Sequence, residues 1–181
     1  MRSFVGLPIP EPWIARLVRV QHRVVGGRNV LPGDFHLTLA FLGEASDAQL
    51  EEVASLLSHK ALKGAEMRPH GFDALRGKKD PRAVALMLAT NDELTALRDA
   101  VRSAARQAGI DLPRERFRPH VTVARFAPGR ERFTTEGIHG MLTEMGHPEV
   151  QPARATALTM WSSTLTPEGP VYEPLQSWPL G

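Results

Sequence analysis

The chain is predicted to fold as a single α+β domain over residues 1–181, made of two pseudo-repeated lobes of β-α-β-α-β type. Three observations predict this. Short β-patterned runs alternate with amphipathic helical stretches. Neighbouring β runs near residues 66–89 and 153–178 are joined by short polar turns, as antiparallel hairpins are, which disfavours a wholly parallel α/β sheet. A His-apolar-Thr-apolar tetrad also occurs once in each half, as His36-Leu37-Thr38-Leu39 and His120-Val121-Thr122-Val123.

Residues 3–7 form a first β run, closed by Pro8 and Pro10. A helix opens at Glu11-Pro12, where proline in the first turn sacrifices no hydrogen bond; it aligns Trp13, Leu17, Val20 and Val24, and Gly26-Gly27 stops it. After the turn at Pro32-Gly33, residues 35–42 carry the first tetrad in a strand. Ser46 with Gln49 three residues on signals a capped helix to about Lys60, burying Leu50, Val53, Ala54 and Leu57. Residues 66–75 and 83–89 read as a hairpin with Lys78-Lys79 at its solvated tip. Asn91 caps the most regular helix, which runs to Ala108 and stops at Gly109. The second tetrad strand follows Pro119, a less regular helix covers residues 131–145, and a last hairpin turns at residues 166–170.

Hydrophobic and charged fractions of 42% and 23% belong to an ordinary folded protein. Net charge is +2, and arginine provides 18 of the 22 basic side chains. Arginine grips phosphate with two parallel donors, so this balance is compatible with a phosphate-bearing partner. Without cysteine, disulfides, thiolate nucleophiles and zinc ribbons are excluded. No signal-peptide pattern opens the chain and no run approaches the ~20 apolar residues of a membrane span, so no membrane partner and a cytoplasmic location are expected.

In a strand, residues two apart share a face, so each tetrad presents an imidazole and a hydroxyl together while its apolar residues point into the core. Chance predicts about 0.08 such tetrads in a chain of this composition. Two imidazoles facing one cleft can take and give a proton near neutral pH, which suits displacement at phosphorus, with hydroxyls and a cation holding the phosphoryl oxygens. Phe41 and Arg125 each lie five residues beyond a tetrad histidine. Strict alternation would turn both away from that face, and a bend or bulge near Ala124 would be needed to bring Arg125 back.

The two tetrads, with Phe41-Leu42-Gly43 after the first, Arg118-Pro119 before the second and Ala124-Arg125 after it, resemble the 2H phosphoesterase superfamily. The tail pattern of Ser163, Leu165, Pro167, Gly169, Pro170, Tyr172 and Leu175, with residues 4–10 at the start, is similar to its RNA 2',3'-cyclic phosphodiesterase branch, also called 2'-5' RNA ligase-like. The resemblance implies a bilobal fold with antiparallel sheets around a central groove. It implies hydrolysis of RNA or nucleoside 2',3'-cyclic phosphate to the 2'-phosphomonoester by a monomer needing no cofactor or metal. His36 is then the general acid and His120 the general base, with Thr38, Thr122 and Arg125 binding phosphate and Phe41 stacking on the base. The alternatives are an RNA-end-binding module without turnover, or an enzyme of the same superfamily acting on another cyclic or 2'-5' phosphodiester.

No Asp, Glu or further His stands at ligand spacing beside either tetrad, which weakens a metalloenzyme reading. Among the other histidines, His70 would border the groove only if its strand were central.

Overall fold

An eight-stranded antiparallel sheet organises the molecule, whose computed structural model describes residues 1–76, 80–127 and 134–181. In chain order the elements are β1 (Arg2–Pro8), α1 (Glu11–Arg23), β2 (Arg28–Asn29), a 3-10 turn (Pro32–Asp34), β3 (His36–Glu44), α2 (Asp47–Ser58), β4 (Glu66–Met67), β5 (Pro69–Arg76), β6 (Pro81–Leu88), α3 (Asp92–Gln107), β7 (His120–Arg125), α4 (Thr135–Glu144), β8 (Ala153–Arg154), β9 (Ala157–Thr166) and β10 (Gly169–Pro179). The strands lie in the order β10-β9-β1-β3-β7-β6-β5, with β2 beside β7, while β4 and β8 form a separate ribbon. This is the α+β, antiparallel arrangement expected from the hairpins and the helical spacing. Among the described residues, no helix is long and apolar enough to cross a membrane.

One core joins the helices to the sheet. Trp13, Leu17 and Val20 of α1, Leu50, Val53 and Leu57 of α2, Leu94, Leu97 and Val101 of α3, and Ile138, Met141 and Leu142 of α4 are buried with Leu37, Leu39, Val121 and Val123. The alternation of β3 and β7 therefore commits one face to packing and leaves the other for chemistry. Local signals fix the helix ends. Ser46 and Gln49 form a complete capping box on α2, and the Asn91 side chain accepts from the Leu94 N–H at 2.8 Å on α3.

Several boundaries differ from the pattern in the sequence. Helix α1 ends at Arg23, before the two glycines, because the Val24 N–H turns back to the Gln21 carbonyl. The run over residues 66–75 divides in two. Pro69 has no N–H to continue a ladder, and the Arg68 carbonyl accepts from Ala89 at 2.9 Å, so β4 leaves to pair with β8. His70 is exposed on β5, the outermost strand, and does not lie on a central one. The reason is the hairpin partner: β6 is buried along nearly its whole length and takes the inner place against β7. Helix α4 is capped by Thr134, and the expected start at Glu131 lies outside the described residues, as does the Lys78-Lys79 tip.

Candidate active site

The tetrads meet at the middle of the sheet. Strands β3 and β7 pair antiparallel through Leu37 and Val121, the residues directly after the two histidines. In that antiparallel sense His36 lies on the side of Thr122, and His120 on the side of Thr38. All four side chains line a cleft of ≈ 440 Å³, and Phe41 and Arg125 line it too. The structure thus brings together all six residues singled out in the sequence.

Two bulges remove the parity conflict. Between β1 and β3, Val5 pairs with Ala40 but Gly6 pairs with Thr38, so Leu39 has no opposite number. Between β6 and β7, Val84 pairs with Ala124 but Ala85 pairs with Thr122, so Val123 has none. Each extra residue shifts the alternation by one and returns the side chain five positions past the histidine to the cleft face. Both bulges sit at the same place in one shared hexad, His-x-Thr-x-Ala followed by Phe41 or Arg125.

Different neighbours hold the two bulges. Opposite the first, a Cβ on Gly6 would collide with the Leu37 carbonyl oxygen, so only glycine lets β1 approach that closely. Beside the second, the buried amide of Gln21 donates to the carbonyls of Val30 at 2.5 Å and Val123 at 2.8 Å. Gln21 was missed in the sequence because a glutamine on the apolar face of a helix breaks the pattern that marks core residues.

The imidazoles are oriented by the same local device. His36 Nδ1 bonds the Asp34 carbonyl and His120 Nδ1 bonds the Arg118 carbonyl, each at 2.7 Å and each two residues back. A carbonyl can only accept, so Nδ1 carries the proton in both rings. Nε2 is then the atom left to exchange a proton in the cleft.

Their surroundings differ. Phe4, Tyr172 and Trp161 surround His36 with ring centroids 4.6, 5.3 and 5.5 Å away. Burial pushes His36 from its ordinary 6.5 down to about 4, and repulsion from Arg125 and His120 acts in the same direction, against the bond to Asp34. His120 is also lowered, by burial first and then by Arg125 and Arg118, with its carbonyl bond opposing. Both rings are therefore mainly neutral near pH 7 in the free protein. The aromatic surround was hidden in the sequence because Phe4 and Trp161 come together only through the pairing of β1 with β9.

Arg2 is a further cleft residue that the sequence did not announce. Its guanidinium lies 4.5 Å from the centroid of the Phe41 ring, and its Nε is buried without a hydrogen-bond partner. Phe41 itself is 42% exposed, a large apolar side chain open to the cleft. Among the described residues, no group of three or more His, Asp or Glu side chains could hold a metal ion.

Paired imidazoles, paired hydroxyls and the guanidinium of Arg125 around a single hollow, with Arg2 against the Phe41 ring, make a site suited to phosphoryl chemistry on an antiparallel α+β frame. The chain belongs to the 2'-5' RNA ligase superfamily, whose sequence profile matches residues 9–165. Its relatives over nearly the full chain are RNA 2',3'-cyclic phosphodiesterases. The one from Thermotoga maritima is 26% identical over 181 residues, covering 97% of this chain and 93% of the relative. The one from Bacillus subtilis is 30% identical over 138 residues, covering 72% and 74%. A crystal structure from Thermus thermophilus matches with a TM-score of 0.76 at 26% identity, covering 99% of this chain and 98% of that one. E. coli LigT complexed with 3'-AMP matches with a TM-score of 0.72 at 24% identity over 99% and 96%, a likeness of fold.

Proposed function

We propose that this chain hydrolyses 2',3'-cyclic phosphate at RNA ends or on nucleotides, giving the 2'-phosphomonoester without a metal ion. The observation that carries the reading is the convergence of His36, His120, Thr38, Thr122 and Arg125 on one cleft. In this mechanism water attacks phosphorus as His120 Nε2 takes its proton. The P–O3' bond breaks as His36 Nε2 gives a proton to the departing oxygen, so a 3'-hydroxyl and a 2'-phosphate result. Solvent then returns a proton to His36 and removes one from His120.

The threonine hydroxyls and Arg125 hold the phosphoryl oxygens as charge builds on them. In the free protein His36 holds little proton near neutrality. The phosphodiester anion entering beside it favours the charged imidazole, so the acid becomes protonated as substrate binds. Phe41 stacks on the terminal base, with Arg2 behind the ring. The two tetrad strands, each with its bulge and its carbonyl-held histidine, are read as the centres of two pseudo-repeated lobes within one domain.

The test is incubation of purified protein with a 2',3'-cyclic nucleotide in excess chelator, with product regiochemistry read by phosphorus NMR. A 2'-phosphomonoester is expected. A 3'-phosphate product, or activity that vanishes on chelation and returns with one divalent ion, would overturn the mechanism. Tight binding of cyclic-phosphate ends with no turnover would favour an RNA-end-binding module.

A further inference from the structure

A second hollow opens off the cleft. Its volume is ≈ 270 Å³, and it shares Val30, Arg125, Pro170 and Tyr172 with the cleft as a common wall. Arg125 therefore stands at the junction of the two. The hollow is also lined by Leu31, between β2 and β3, and Val171, on β10, which are 69% and 48% exposed. Solvated leucine and valine flanking a concavity favour a flat apolar occupant. Arg28 lines the same hollow and is held in place, donating from Nη2 to the Pro167 carbonyl at 3.0 Å and packing Nη1 and Cδ close to Gly169. No carboxylate pairs with Arg28 among the described residues, although Asp34 and Glu168 also line the hollow. Those two acceptors suit the amino groups of a base better than they suit a phosphate.

The covalent shape of the substrate points to the occupant. In a ribose bearing a 2',3'-cyclic phosphate, the base leaves from C1' and the 5' chain from C4', at opposite ends of the C2'–C3' edge. With the base on Phe41 and phosphorus between the histidines, the 5' chain is directed away from Phe41, along the wall that ends at Arg125.

We propose that this hollow is a subsite for the nucleotide immediately 5' of the cyclic-phosphate end. Its base lies between Leu31 and Val171, and its linking phosphodiester meets Arg28. The assignment rests on the phosphodiesterase reading above.

The experiment compares kcat/KM for a mononucleoside 2',3'-cyclic phosphate with that for a dinucleotide ending in the same group. The wild type should favour the dinucleotide by roughly tenfold or more, the scale of one stacked base. Leu31→Asp and Val171→Asp, made separately at these exposed positions, should reduce that preference toward one. Both should leave mononucleotide turnover within about twofold of wild type, which also reports that the variants are folded. No preference in the wild type, or one that survives both substitutions, overturns the subsite while mononucleotide turnover keeps the catalytic reading. Absence of turnover on both substrates overturns the catalytic reading and the subsite with it.

Discussion

The two histidine strands carry one hexad in unlike surroundings. On β3, His36 is enclosed by Phe4, Trp161 and Tyr172, and its pKa falls to about 4. On β7, His120 stands near two cations, Arg118 and Arg125, which add to a lowering led by burial. The backbone devices are the same: a carbonyl two residues back and a bulge after the threonine. The carbonyl two residues before each hexad sets where the imidazole points and which nitrogen is free, while the neighbouring strands set how readily that nitrogen holds a proton.

The largest effect expected from this asymmetry is catalytic. His36→Ala and His120→Ala should each lose roughly 10²–10⁴ in rate on an ordinary cyclic phosphate. Sulfur at the bridging 3' position makes a leaving group that barely needs a proton. On that substrate His36→Ala should recover much of its rate, while His120→Ala stays impaired because water still lacks its base. Rescue of His120→Ala instead would reverse the two roles.

A second effect concerns stability. His36 titrates near 4 in the fold and near 6.5 when unfolded, so between those values the unfolded chain binds more protons. Stability from keeping this ring neutral is fully present above about pH 6.5 and is lost as pH falls through about 4, on the order of 3 kcal/mol. Urea unfolding of His36→Phe should therefore decline less steeply than wild type over that window. Parallel curves for the two proteins would show that the aromatic surround does not govern the ring.

Next in size is Arg125→Lys, which keeps the charge and loses the planar fork. A fall in kcat/KM on the order of tenfold to a hundredfold is expected, and wild-type kinetics would place the guanidinium off the phosphate. The smallest effect tests the second bulge alone. Gln21→Met keeps the volume but leaves the Val30 and Val123 carbonyls without the amide, costing about 1–2 kcal/mol in urea unfolding. The activity deficit should then match that of a mild Arg125 lesion, because the bulge aims that side chain. Unchanged unfolding and kinetics would mean that the strand holds its bulge without help.

How much of this was legible depends on the range of the interaction. The capping box of α2, the cap of α3 and the faces of the tetrads are written in residues a few positions apart, and the sequence shows them directly. The helix end at Val24 and the split at Pro69 each turn on one backbone hydrogen bond, which leaves little trace in side-chain pattern. The aromatic surround of His36 gathers Phe4, Trp161 and Tyr172 from three strands, so it could not be read before the order of the sheet was known. The alternation rule failed at Phe41 and Arg125 for a related reason. A bulge is a property of two strands in register, and the sequence displays one strand at a time.

The position gained by each bulge has a consequence for substrate polarity. His36 and His120, and Thr38 and Thr122, are related by the antiparallel pairing of the two strands and, on the proposed reading, offer phosphorus nearly the same hands from either end. What breaks the equivalence on the cleft floor is the residue after each bulge, an aromatic ring on β3 and a guanidinium on β7. On the proposed reading, the direction in which a nucleotide lies across the strands is therefore encoded by one side chain per hexad. Exchanging Phe41 and Arg125 would redraw that direction while leaving the proton-transfer groups where they are.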